Sequence, residues 1–218
     1  MEEEDLHFFC LIDASTSMEF GEPTKLDYAK QLAAALGFVG LCRADRVKLE
    51  TLGQSLRNPS PVLRGRQSVW RMTEYLQDIP SGENTTLDVG IRNFCLRNSG
   101  KGIVVLITDL MDKHGYESAL RYLMAKQMDI YVIHVLSPAE IDPDLVGDLR
   151  LVDSEDGDVA EITVSRPLLD RYRRTLSAFV EGAREFCNRR GIAYLLANTD
   201  VPVQTLVSNY LRQRGLVR

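Results

Sequence analysis

The sequence predicts a Rossmann-like, doubly wound α/β domain with a mostly parallel, six-stranded sheet and helices on both faces. Strand-like and helical segments alternate along the chain, as they do in folds with a parallel sheet. Residues 8–12 and 103–107 are unbroken apolar runs, typical of strands that are buried on both faces. The chain has 218 residues, 44% of them hydrophobic, and no low-complexity stretch or linker. It is therefore predicted to form one domain over residues 1–218.

The first half begins with a buried strand that ends at Asp13. In the helix that follows, Thr24 is the expected N-cap because its hydroxyl can accept a backbone N–H of the first turn. A short edge strand is expected near Pro61, since proline is tolerated only at edges or strand starts. The predicted elements are a strand at 6–12, a helix at 24–41, strands at 46–52 and 61–63, and helices at 67–76 and 86–96.

The second half continues the alternation but interrupts it once. Turn signals such as Asp156-Gly157 separate two short strand-like runs, which predicts a hairpin. The predicted elements are a strand at 102–107, a helix at 116–125, a strand at 130–136, hairpin strands at 149–152 and 159–164, a helix at 165–190, a strand at 192–197 and a helix at 203–211.

Composition argues against several functions. The net charge of -5 and the pI of about 5.3 disfavour binding of nucleic acid. No apolar run is long enough to span a membrane, and the acidic start is unlike a signal peptide.

The four cysteines are scattered in apolar segments, which favours buried free thiols in a reducing, cytoplasmic compartment. Two arginine groups are interpreted as solvated helix faces: Arg64, Arg66 and Arg71, and Arg171, Arg173 and Arg174.

Oxygen-bearing side chains follow two of the predicted strands. Asp13 ends the first strand, and Ser15 and Ser17 follow at steps of two, so an extended backbone would point all three side chains the same way. Asp109 ends the 102–107 strand, and Thr85 or Thr86 precedes a helix. In open α/β sheets the carboxyl ends of the strands bind ligands. Carboxylates and hydroxyls without His or Cys are the ligand set for Mg²⁺, Mn²⁺ or Ca²⁺.

Two other interpretations of these residues stay open. One is a scaffold with a vestigial metal site, in which the residues only form turns and helix caps. The other is a Mg²⁺-dependent phosphatase or phosphoacceptor-like enzyme of another doubly wound fold. A phosphatase of the haloacid dehalogenase type would need a second Asp where this chain has Ser15, and neither a nucleophile elbow nor a phosphate-binding loop occurs.

The order Asp13-x-Ser15-x-Ser17, then Thr85, then Thr108-Asp109 resembles the metal-ion-dependent adhesion site of von Willebrand factor A domains. The resemblance implies that Ser15, Ser17 and Thr85 ligate the metal directly, with Thr86 as the alternative to Thr85. Asp13 and Asp109 would act mostly through bound waters. It also implies a protein-binding role without catalysis, in which an acidic residue of a partner completes the coordination.

A second resemblance covers the whole chain. The stretches at 2–6, 134–143, 147–155 and 211–216 resemble a bacterial family called domain of unknown function 58. That resemblance implies that this chain is the C-terminal portion of a longer protein. It also implies a MoxR-type AAA+ ATPase, or a client of one, as the partner, in the assembly or maturation of other proteins.

Overall fold

The computed structural model describes residues 7–52, 61–82, 85–98, 100–145, 147–152 and 158–208. Its strands are β1 (His7–Asp13), β2 (Arg46–Leu52), β3 (Gly102–Thr108), β4 (Met128–Leu136), β5 (Gly147–Val152), β6 (Val159–Val164) and β7 (Ala193–Asn198). Its helices are α1 (Lys25–Cys42), α2 (Val69–Gln77), α3 (Leu87–Arg97), α4 (Glu117–Met124), α5 (Pro138–Ile141), α6 (Arg166–Asn188) and α7 (Val203–Leu206). The doubly wound α/β prediction is confirmed.

The central sheet is parallel throughout, with the strand order β2-β1-β3-β4-β7. Alternate side chains of its strands point to opposite faces, so each face carries its own core. Cys10, Ile12 and Val105 pack under α1, α2 and α7. Leu11, Val104 and Leu106 pack under α3, α4 and α6 on the other face. Burial on both faces explains the unbroken apolar strands of the sequence.

The prediction of six strands in the sheet is wrong by one. The expected edge strand at 61–63 is reduced to a single antiparallel bridge between Leu63 and Val47. Pro61 has no backbone N–H with which to extend a ladder, which limits pairing at this edge. The predicted hairpin is confirmed, because β5 and β6 pair antiparallel as a separate two-stranded sheet.

Most helix boundaries match the sequence signals. The Thr24 hydroxyl accepts a hydrogen bond from the backbone N–H of Asp27 at 3.0 Å and caps α1, as predicted. Ser165 caps α6 in the same way. The last helix begins at Val203 as predicted, and the end of the predicted range, 209–211, lies outside the described residues. One of the four cysteines predicted to be buried, Cys42, is exposed at the end of α1.

The strand order reverses between β1 and β3. From β1 the chain goes to β2 on one side and then crosses to β3 on the other. Ile12 pairs with Ile107, so Asp13 and Thr108 end adjacent strands at the same edge. Ligands of open α/β sheets bind in the crevice at such a switch point.

Candidate metal-binding cleft

A small cleft opens at the carboxyl ends of β1 and β3. Four of the five predicted site residues line it, namely Asp13, Ser15, Thr85 and Asp109. The rest of its lining comes from Leu87, Thr108, Leu110, Met111 and Asp112. Three segments far apart in the sequence therefore meet at one point, as the strand-end argument predicted.

At the end of β1, both carboxylate oxygens of Asp13 accept hydrogen bonds. The backbone N–H of Ser15 donates to Oδ1 at 3.0 Å, and the Thr108 hydroxyl donates to Oδ2 at 2.6 Å. The hydroxyls of Ser15 and Ser17 lie 3.1 Å apart. Ser17, the fifth predicted residue, does not line the cleft itself and lies next to it through this contact with Ser15.

Ser15 and Ser17 do not come together through an extended backbone, as the sequence predicted. The backbone is extended only as far as Ser15 and then enters a 3-10 turn over Thr16–Glu19. Side chains two residues apart in a 3-10 turn do not share a face as they do in a strand. The extended conformation of Ser15 (φ -58°, ψ 161°) places its hydroxyl over the turn, next to that of Ser17.

At the end of β3, both carboxylate oxygens of Asp109 also accept hydrogen bonds. Its Oδ1 accepts the backbone N–H of Met111 at 3.0 Å, and its Oδ2 accepts a hydrogen bond from the ammonium of Lys25 at 2.7 Å. Leu110, between them, has a φ of 58°, a left-handed conformation that is uncommon for a residue with a side chain. The turn is stabilised by the Leu110 N–H, which donates to the Thr108 hydroxyl at 3.0 Å.

The two carboxylates repel each other across the cleft. Burial, and after it the negative charge of Asp109, together raise the pKa of Asp13 to about 6. Hydrogen bonds from Thr108 and Ser15 oppose these two effects without cancelling them. Asp13 is thus an acid whose ionised form is poorly compensated by the protein alone.

Lys25 was not singled out by the sequence analysis, although it is the most completely buried charge of the cleft region. It is fully buried, and its ammonium contacts Asp109 at 2.7 Å and Glu140 at 2.5 Å. These two carboxylates raise its pKa against the opposing effect of burial. The partners lie 84 and 115 positions further along the chain, so no local pattern could reveal them.

Glu140 is itself fixed in a helix-capping arrangement. Its Oε2 accepts the backbone N–H of Ser137 at 2.8 Å, and the Ser137 hydroxyl accepts the N–H of Glu140 in return. This reciprocal pair is a capping box at the start of α5. Lys25 therefore joins the cleft carboxylate Asp109 to α5.

The two candidate threonines are distinguished by their contacts. The hydroxyl of Thr86 accepts the backbone N–H of Val89 at 3.4 Å and is the N-cap of α3. Thr85 lines the cleft. Asp112, which sequence reasoning also missed, follows β3 in the chain. Its Oδ2 accepts the backbone N–H of Leu87 at 2.5 Å, and this hydrogen bond links the start of α3 to the end of β3. Of the two threonines, Thr85 is the better placed to meet a ligand in the cleft.

The donor set fits a hard divalent cation. When ionised, Asp13, Asp109, Asp112 and Glu140 contribute four negative charges and Lys25 one positive charge, which leaves an excess of three negative charges at or near the cleft. The available ligands are oxygens of carboxylates and hydroxyls, which Mg²⁺ and Ca²⁺ prefer. Within the described residues, no three His, Cys, Asp or Glu side chains cluster as a metal site. The hydroxyls of Ser15, Ser17 and Thr85 would thus have to supply ligands.

The fold is similar to that of von Willebrand factor A domains. It superposes on the crystal structure of BatB from Bacteroides thetaiotaomicron with a TM-score of 0.56 and 15% identity, over 96% of this chain and 98% of that one. The VWA domain of SpRpn10 gives a TM-score of 0.51 and 13% identity, over 97% and 96% of the two chains. At these identities the likeness concerns the fold.

The family follows from the sequence. The model of the family described as "Protein of unknown function DUF58" matches residues 1–184, and the chain belongs to this family. Similar proteins include the uncharacterized proteins Rv1480 of Mycobacterium tuberculosis and Mb1516 of Mycobacterium bovis, each 26% identical over 181 residues. The match covers 81% of this chain but 57% of each of those relatives. Within the described residues, none of the helices is both long and apolar enough to cross a bilayer.

Proposed function

We propose that this domain is a Mg²⁺-dependent protein-interaction module without catalytic activity of its own. The observation that carries the proposal is the pairing of two buried carboxylates, Asp13 and Asp109, with the hydroxyls of Ser15, Ser17 and Thr85 at the switch point. Buried like charges are costly unless a counter-charge is bound. A divalent cation would supply that counter-charge, and Mn²⁺ or Ca²⁺ could replace Mg²⁺ in binding assays.

The contacts support a division of roles among the five residues. Each oxygen of Asp13 and of Asp109 already accepts a hydrogen bond from the protein. This favours carboxylates that act through waters, while the neutral hydroxyls of Ser15, Ser17 and Thr85 would contact the ion directly. A metal held by neutral direct ligands stays electrophilic and attracts an anionic oxygen from outside.

The partner follows from this chemistry and from family membership. We propose a protein that offers an Asp or Glu to the metal, and a MoxR-type AAA+ ATPase, or a client of one, as the first candidate. The ATPase is suggested by the sequence resemblance to the family. The proposed setting is the bacterial cytoplasm, in the assembly or maturation of other proteins.

The proposal is tested by measuring binding of this domain to a MoxR-type AAA+ ATPase from the same bacterium, with and without chelator. Both EDTA and Ser15→Ala should weaken binding at least tenfold, because each removes part of the metal contact. Ser177→Ala is a matched control, since Ser177 lies exposed on α6. Binding that survives both EDTA and Ser15→Ala unchanged would place the interface elsewhere.

A further inference from the structure

A second surface, far from the cleft, combines arginines with exposed apolar side chains. The arginine–tryptophan face consists of Val62, Arg64, Arg66, Trp70 and Arg71, all of which are exposed. Trp70 is 76% exposed and Val62 is 55% exposed. The sequence analysis treated these arginines as an ordinary solvated face and overlooked the tryptophan among them. What distinguishes the face is an exposed aromatic ring beside exposed arginines.

The charge of this segment is opposite to that of the chain. Residues 51–73 contain four arginines and neither Asp nor Glu, in a protein of net charge -5. The next acidic residue is Glu74, one helical turn beyond Trp70. The described arginines of this segment, Arg64, Arg66 and Arg71, therefore create a local positive field on an otherwise acidic molecule.

The face lies at the opposite end of the sheet from the cleft. Lys25, at the start of α1, contacts the cleft, whereas a Cβ on Gly37 would come within 2.6 Å of Met72 in α2. Twelve residues of helix separate these two points, or roughly 18 Å at about 1.5 Å per residue. Leu63 pairs with Val47 near the start of β2, which is also the end away from the cleft. Both surfaces can therefore be occupied at once.

We infer that the arginine–tryptophan face binds the surface of an anionic lipid membrane. Tryptophan is the side chain that settles at the level of lipid headgroups, since its ring is apolar and its N–H is polar. Arginines beside it attract anionic headgroups, and a short aliphatic chain such as Val62 adds apolar contact. All five side chains are exposed, which suits contact with a soft, extended surface. The domain would lie on the membrane through this face while the cleft stays open to a partner.

The expected affinity is modest. Each arginine near an anionic surface contributes about fivefold to binding, so removing two should weaken it roughly 30-fold. Burying about 60 Å² of the Trp70 ring adds about tenfold. Together these factors describe weak, reversible binding to a membrane, of the kind that a single acyl chain gives.

The test is sedimentation of the chain with vesicles of phosphatidylglycerol and phosphatidylcholine, compared with phosphatidylcholine alone. We expect binding to the anionic vesicles only, loss of about tenfold in Trp70→Ala, and loss of about 30-fold in Arg66→Gln/Arg71→Gln. Leu96→Ala and Arg171→Gln/Arg174→Gln are matched controls, because they remove an exposed apolar side chain and two exposed arginines elsewhere. The controls should bind as the wild type does.

Three outcomes would overturn the inference. These are equal binding to neutral and anionic vesicles, no binding to either, and equal losses in the control and test variants. An acidic protein as the true occupant would give no vesicle binding. Circular dichroism of each variant shows whether a loss reflects unfolding. None of the five residues of the face touches the cleft, so the result is independent of the metal proposal.

Discussion

Replacing Asp13 by Asn should stabilise the metal-free protein at neutral pH, although it removes a residue of the proposed site. The pKa of Asp13 is raised from 3.8 to about 6 by burial and by Asp109. At about 1.4 kcal/mol per pKa unit, ionised Asp13 costs the folded state about 3 kcal/mol at pH 7.5. Asn keeps the shape, can accept the Ser15 N–H and can donate to the Thr108 hydroxyl, so most of this cost should be recovered.

The stabilisation expected for Asp13→Asn depends on pH. A carboxyl whose pKa is higher in the folded than in the unfolded state lowers stability as the pH rises between the two values, here from about 4 to about 6. The advantage of Asp13→Asn should therefore be about half as large at pH 5 as at pH 7.5.

Urea denaturation in EDTA, followed by circular dichroism, measures both free energies of unfolding. Asp129→Asn, at an exposed position in β4, is the control and should change little. If Asp13→Asn is less stable than the wild type at pH 7.5, the hydrogen bonds of the carboxylate outweigh its repulsion. The cleft would then have no electrostatic need for a cation.

Four further variants, in two matched pairs, probe the residues in and around the cleft. Lys25→Met should destabilise the protein by about 3–5 kcal/mol in urea denaturation, because it leaves Asp109 and Glu140 without their cation. Lys30→Met, which loses one hydrogen bond to the Ile79 carbonyl, should cost about 1 kcal/mol, and equal losses would refute the special role of Lys25. Thr85→Ala should weaken metal binding in calorimetry without changing apo stability, whereas Thr86→Ala should cost about 1 kcal/mol of stability as a lost helix cap. The reverse pattern would make Thr86 the ligand.

Sequence reasoning located the parts of the site that depend on strand ends. Asp13 and Asp109 follow apolar strands, and parallel strands end at one edge, so their convergence could be predicted. Lys25, by contrast, has no feature in the sequence that distinguishes it from an ordinary exposed lysine in the first turn of a helix. Its burial depends on where α5 brings Glu140, which is a tertiary contact.

In the fold, too, features set by local sequence could be predicted and those set by tertiary contacts could not. Periodicity and apolar runs predicted the parallel strands and the order of helices. The pairing of residues 61–63 with β2 is a tertiary contact, and it amounts to one bridge between Leu63 and Val47. Local propensity does not determine such edge pairing.

The central claim is that the cleft binds a divalent cation, and thermal unfolding with Mg²⁺ or with EDTA tests it most directly. Metal at about 100 times its Kd stabilises a native-state site by about 2.7 kcal/mol. At about 2–4 °C per kcal/mol for a chain of this size, the Tm of the wild type should rise by about 5–10 °C. The Tm of Asp13→Asn should not respond to metal. Identical melting of the wild type in millimolar Mg²⁺ and in EDTA would contradict the claim.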